Sequence, residues 1–227
     1  MSRLAWVTTA AAHGLDDDES LGLEALRRAG VEVDVVDWHD EAVDWASYDR
    51  AVLRSTWDYA ERLPEFLDWL GVAGELTELV NPLPMVRWSL DKHYLAELEA
   101  AGVPVPRTTY VEPGEAVALP AGEVVVKPAV HAASKRVTVP RGDTIGDLFA
   151  EEALALHDAD AEQLAVAEAA VDLVTARFGT PAYARIDLVR DDDGRPCVLE
   201  VELVEPSLFL AQGGPAAAER LAAGLAK

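Results

Sequence analysis

The acidic and basic side chains between Tyr183 and Leu203 carry the clearest chemical signal in this sequence: Arg185, Asp187, Glu200 and Glu202, set in two alternating apolar and polar runs. The runs flank Asp193-Gly194, a pair that favours a two-residue type I′ turn, and so predict a β-hairpin. That turn pairs Asp192 with Arg195, and counting outward puts Asp187 opposite Glu200 and Arg185 opposite Glu202. Arg185, Asp187, Glu200 and Glu202 then share one face, while Ile186, Leu188, Leu199, Val201 and Leu203 form the core-facing one. Carboxylates directly opposite each other destabilise a sheet, and a bound cation is the simplest remedy. Mg²⁺ takes oxygen ligands and is commonly held by one or two carboxylates together with substrate phosphates. A solvated outer face, on which Arg185 neutralises Glu202, satisfies the same pattern.

Two lysines have complementary chemistry. Lys127 ends a buried-type strand, Glu123 to Lys127, where an ammonium can meet a phosphate. Lys92 falls in the first turns of a helix predicted from Ser89 to Ala101 and closed by Gly102. Each also reads as an ordinary surface lysine. Cys197 is the single cysteine, which allows no internal disulfide, and it has no histidine partner nearby in sequence.

Other elements must hold these groups in place. Residues 3–9 read as a strand, followed by the acidic loop Asp16 to Glu19 and a helix ending at Gly30. Strands at 31–36 and 51–53 and a helix at about 64–70 complete an open α/β pattern, in which ligands sit beyond the C-terminal strand ends. Arg54 to Tyr59 lies at such an end. Asn81-Pro82-Leu83-Pro84 breaks the pattern and marks a domain boundary between 1–80 and 81–227. Asp158 opens a helix with Leu164, Ala167, Val171, Val174 and Phe178 on one face, and an Ala-rich helix follows Pro215. Half of the 227 residues are apolar, which excludes a disordered chain. A net charge of −22 argues against nucleic acid and membrane as partners. The N-terminus lacks a signal peptide's apolar stretch, which points to the cytoplasm.

Taken in order, these residues resemble the ATP-grasp carboxylate-amine ligases. The likeness rests on Asn81 with Trp88, Asp91 to Leu95, Gly102 to Thr108, Val124 to Pro128, and the hairpin from Arg185 to Glu202. It implies an ATP-grasp fold: an open parallel α/β domain, then a domain with an antiparallel sheet. It also implies ATP and Mg²⁺, with Mn²⁺ as an alternative ion. Carried over position by position, Lys92 and Lys127 contact ATP, and Asp187, Glu200 and Glu202 hold the metal. Many members have asparagine where this chain has Glu202. Leu53 to Tyr59, Glu61 to Phe66, Asn81 to Leu95 and Leu203 to Leu210 are similar to the bacterial O-ureido-serine cyclo-ligases, which form cycloserine.

One departure is large. Family members carry a Gly-rich loop and a lid subdomain after the strand ending Lys-Pro, whereas here Lys127 to Val130 runs straight into His131 to Lys135. A subdomain therefore reads as absent between Val130 and His131.

The resemblance implies that ATP phosphorylates a carboxylate or carbamoyl oxygen of a small amino-acid-like substrate and that an amine displaces phosphate. Arg185 and Lys135 would assist. Arg54, a planar fork at a strand end, suits a substrate carboxylate. Trp57, Asp58 and Tyr59 either line that pocket or pack at the domain interface. Ser207 either offers a hydroxyl and backbone N–H groups to the substrate or sits in a plain turn, and Arg185 either grips phosphate or only pairs with Glu202. A homodimer is left open. The alternative functions are a nucleotide-binding regulatory module without catalysis, an ATP-grasp ligase for another amino acid or peptide, and, more weakly, a metal-dependent hydrolase.

Overall fold

In the computed structural model, residues 2–112, 114–115, 126–130 and 155–226 are described. Four parallel strands build the first sheet: β1 (Arg3–Thr8), β2 (Glu32–Asp37), β3 (Arg50–Ser55) and β4 (Glu78–Val80), in the order β2-β1-β3-β4. The order reverses between β1 and β3, and the rule for open α/β sheets puts the ligand crevice at that point, beyond Thr8 and Ser55. The middles of β1 and β3, Leu4 to Val7 and Ala51 to Leu53, are apolar because both sheet faces are covered there. Ala5, Val7, Ala51 and Leu53 pack against Phe66, Leu70 and Ala73 of α2 (Leu63–Leu76). Leu4, Trp6 and Val52 pack against Leu23 and Leu26 of α1 (Glu19–Arg28). Gly22 lets α1 lie close on Trp6, since a Cβ there would come within 2.5 Å of the indole.

The short strand β4 is not predicted by the sequence, because three residues leave no alternation to read. A helix, α3 (Leu83–Ser89), begins where the prolines read as a break. Pro84 falls in its first turn, where the missing N–H has no partner to lose. The helix predicted from Ser89 starts instead at Tyr94, as α4 (Tyr94–Ala100). Lys92 thus lies in the turn between the two helices.

Helix α5 (Ala161–Phe178) is capped by Asp160, with a reciprocal bond from Gln163. Its buried side differs from the predicted one: Ala170 and Val174 are buried, while Leu164 is 50% exposed. Small alanines let the helix approach the hairpin, so the stripe is set by Val166, Ala169, Ala170, Leu173 and Val174.

The hairpin joins β5 (Arg185–Arg190) to β6 (Pro196–Glu202). The turn is not the predicted two-residue type. Asp191 N–H donates to Arg195 O at 2.9 Å, Gly194 N–H donates to Asp191 O, and Gly194 takes φ +80°. The Asp191 carboxylate accepts from Asp193 N–H and Arg195 N–H, which favours this wider loop. Pairing therefore starts one residue out of the predicted register, with Leu188 opposite Val198. A register shift between Asp187 and Leu188 restores it, so Asp187 faces Glu200 and Arg185 faces Glu202. The core side pays for the detour in identity: Val198 is fully buried where Leu199 was expected, and Leu199 is only half-buried. Val198, Val201 and Leu203 pack with Met85, Tyr94, Leu98, Ala170 and Val174 in a third cluster.

Two features bind the sheets together. After the short helix α6 (Leu210–Gly213), helix α7 (Pro215–Leu225) returns to the first sheet and places Leu221 and Leu225 against Leu4 and Trp6. Asn81, 2% exposed and in the left-handed region at φ +61°, donates to Tyr183 O and Leu203 O and accepts from Ala182 N–H, all within 2.9 Å.

Candidate active site

The polar face of the hairpin gathers the predicted acids. One carboxylate oxygen from each of Asp187, Glu200 and Glu202 lies within 4.8 Å of the others, and all three side chains are half-buried. Three hard oxygen donors at that spacing can hold a divalent cation. Arg185 spans two of them: Nε and Nη2 donate to the two Asp187 oxygens at 2.8 and 3.0 Å, and Nη2 donates to Glu202 at 2.6 Å. Of its two predicted roles, the structure displays the pairing with Glu202.

Glu200 takes the lysines. Lys92 Nζ is 2.9 Å from one of its oxygens and Lys127 Nζ 3.9 Å from the other. The two lysines come from distant segments, and a backbone bond from Lys92 N–H to Ala129 O at 2.9 Å holds them together. This arrangement puts cations and carboxylates in one cleft.

Burial pushes the Glu202 carboxyl up to about 8, against the pull of Arg185 and with the push of Glu205, Glu200 and Asp187. Burial likewise raises Glu205 to about 7, against its own backbone N–H, Lys92 and Arg54. Burial opposes the charge on Arg185, but its bond to Asp187 and the surrounding carboxylates outweigh that and raise its pKa. Acids whose folded pKa lies above the unfolded 4.5 bind protons more tightly in the native state, so stability falls as pH rises from about 4.5 to 8. In metal-free protein this costs on the order of a few kcal/mol across that range. A melting temperature that declines from pH 5 to pH 8, with Mg²⁺ flattening the decline, is the expected result of thermal melts in buffers with and without Mg²⁺. A flat metal-free profile would contradict it.

Arg54 does not open onto a pocket as predicted. It is 1% exposed, stacked over Trp6 and Tyr183, and its Nη2 donates to Pro206 O at 2.8 Å and sits 3.4 Å from Asp18. Its Nε and Nη1 have no hydrogen-bond partner among the described residues. Burial between two aromatic rings makes it a clamp between β3 and the loop after β6. Asp58 accepts from Trp38 Nε1 at 2.9 Å and pairs with Arg62, and Trp57 is half-buried. Tyr59 is buried and stacked on Phe66, with burial and the charges of Glu205, Glu202 and Glu200 raising its pKa. Ser207 is exposed, and its carbonyl accepts from Arg185. Cys197 is buried, and burial raises its thiol pKa. Lys135 and the far side of the Val130–His131 junction lie outside the described residues, as do residues 123–125 of the strand predicted before Lys127.

Two acids were not singled out by the sequence. Asp18, 3% exposed, accepts from Leu208 N–H at 2.5 Å and Leu210 N–H at 2.7 Å while pairing with Arg54. Glu205 stands just beyond β6. Its only signal is position, three residues after Glu202 and before a proline; Asp18 is lost in the acidic run 16–19.

Comparison with known proteins identifies relatives along the whole fold. Residues 4–81 match a family model described as the N-terminal domain of the D-cycloserine synthetase DcsG. The cycloserine biosynthesis protein DcsG of Streptomyces lavendulae is 35% identical over 279 residues, covering 92% of this chain and 93% of that protein. That span exceeds the chain's own 227 residues, so the relative carries an internal stretch with no counterpart here. The crystal structure of D-cycloserine synthetase DcsG superposes with a TM-score of 0.85 at 34% identity, covering 99% of both chains. An ATP-grasp RimK domain protein of Sphaerobacter thermophilus shares the fold, with a TM-score of 0.61 at 19% identity over the whole of both chains. With that likeness running through the parallel sheet and the hairpin, the chain belongs to the DcsG family and is an ATP-grasp ligase.

Proposed function

We propose that this ligase activates the carboxylate of O-ureido-serine with ATP and closes the molecule into cycloserine. The observation that carries the reading is the convergence of Asp187, Glu200, Glu202, Lys92 and Lys127 on one face, beside the crevice at the reversal of strand order. Support for the substrate comes from the relatives, whose names specify cycloserine formation.

The chain's residues divide the work. Asp187, Glu200 and Glu202 fit Mg²⁺ by donor type and spacing. When bound, the ion would neutralise charge on the nucleotide phosphates as the phosphoryl group moves. Lys92 and Lys127, which here pair with Glu200, would serve the phosphates once the ion takes that carboxylate. Arg185, tied to Asp187 and Glu202, keeps both carboxylates oriented and returns a positive charge to the cleft. With the substrate carboxylate phosphorylated, the nitrogen bonded to its side-chain oxygen loses its proton and displaces phosphate from the carboxyl carbon, and water then removes the carbamoyl group from that nitrogen as carbon dioxide and ammonia, leaving cycloserine. Both ends belong to one molecule, so holding them together is the protein's main contribution to that second step.

Phosphate release from ATP and Mg²⁺, measured with and without each enantiomer of O-ureido-serine, tests the reading. Release that requires the amino acid, together with cycloserine in the product mixture, is expected. ATP binding with no substrate-dependent release would instead mark a nucleotide-binding module, and release stimulated only by other amino acids would reassign the substrate.

A further inference from the structure

Glu205 occupies a place that the metal and nucleotide chemistry leaves unassigned. The segment Val204 to Pro206 is fastened to the C-terminal end of β3 from both sides. The Tyr183 hydroxyl lies 2.8 Å from Val204 O and 3.2 Å from Leu53 O, and Arg54 Nη2 donates to Pro206 O at 2.8 Å. Glu205 is therefore held over the ligand crevice of the parallel sheet, half-buried, with Lys92, Arg54, Tyr59, Tyr183, Glu200 and Glu202 as its charged and titratable surroundings. It makes no ion pair with any described residue, while the cations around it are engaged elsewhere: Lys92 with Glu200, Arg54 with Asp18, Arg185 with Asp187 and Glu202.

A substrate carboxylate that is phosphorylated beside the acid triad brings its α-ammonium one carbon away. That cation needs a carboxylate on the crevice side of the triad. Glu200 and Glu202 are given to the metal ion, and Asp18 is filled by Leu208 N–H, Leu210 N–H and Arg54. We propose that Glu205 receives the α-ammonium of the substrate and so selects amino acids over simple carboxylic acids. The inference rests on the ligase reading above and adds to it the residue that recognises the amino group.

The test compares O-ureido-serine with its desamino analogue, 3-(ureidooxy)propanoate, by phosphate release with Mg²⁺ and ATP, in the full chain and in Glu205→Gln and Glu205→Ala. A charged hydrogen bond of this kind predicts a preference of roughly 10- to 100-fold in kcat/KM for the amino acid in the unaltered protein. Both variants lose that preference by the same factor, through a higher KM for the amino acid, with the KM for ATP unchanged. A variant that discriminates as well as the unaltered protein overturns the proposal. An unaltered protein that accepts the desamino analogue equally overturns it without any variant, whether or not the variants fold. An unaltered protein inactive with both compounds overturns the O-ureido-serine reading and the assignment of Glu205 together, which separates that failure from loss of the Glu205 role alone.

Discussion

Asp187→Asn is expected to lower turnover by about 10³-fold or more, while the protein stays folded. The change removes one negative charge from a cluster whose oxygens lie within 4.8 Å of one another, and with it one of three ligands able to hold Mg²⁺. The amide keeps one acceptor for Arg185, which now donates to both Asp187 oxygens, so one of two bonds is lost. Relief of the opposition to Glu200 offsets that loss in metal-free protein. Thermal melts should accordingly differ little without Mg²⁺, and the stabilisation that Mg²⁺ confers should shrink. Phosphate release measured beside those melts separates a metal ligand from a structural acid. Unchanged turnover in the variant would remove Asp187 from the site.

The second large effect concerns stability. Asn81→Ala breaks three hydrogen bonds at once and leaves the carbonyls of Tyr183 and Leu203 and the N–H of Ala182 without partners. Each buried orphan costs about 1–3 kcal/mol, and alanine in the left-handed region adds about 1 kcal/mol. A loss of about 4 kcal/mol or more follows, a large part of the 5–15 kcal/mol typical of a domain. Because Asn81 joins the end of β4 to both the start of β5 and the end of β6, the variant should also lose activity beyond its loss of folded protein. Denaturant unfolding reads the first effect. A loss under about 1 kcal/mol would show that the joint is held by other contacts, α7 foremost among them.

The site was more legible in the sequence than the path of the chain around it. Alternation and an Asp-Gly turn were enough to set Asp187 against Glu200, although the hairpin reaches that pairing differently. Asp191, whose carboxylate bonds the loop amides, widens the turn by one residue, and the register shift near Leu199 takes it back. Local pattern cannot distinguish two compensating displacements from none, and only the exchange of Leu199 for Val198 in the core betrays them. Lys92 and Lys127 carry no local sign of meeting. Their approach depends on a backbone bond between segments that periodicity treats separately. Arg54 shows the opposite limit: its position at a strand end was readable, but its burial under Trp6 and Tyr183 depends on a tyrosine from the distant segment that leads into β5. The same holds for α7, whose Ala-rich pattern names a helix without saying that it returns to cover β1.

The most direct test follows an oxygen atom. O-ureido-serine labelled with ¹⁸O in its carboxylate is turned over with unlabelled ATP, Mg²⁺ and water, and the inorganic phosphate is examined by mass spectrometry. A ligase that phosphorylates the substrate carboxylate must carry one labelled oxygen into each phosphate released. Phosphate free of label would mean that ATP is split by water or that a different oxygen is activated, and either result would contradict the account.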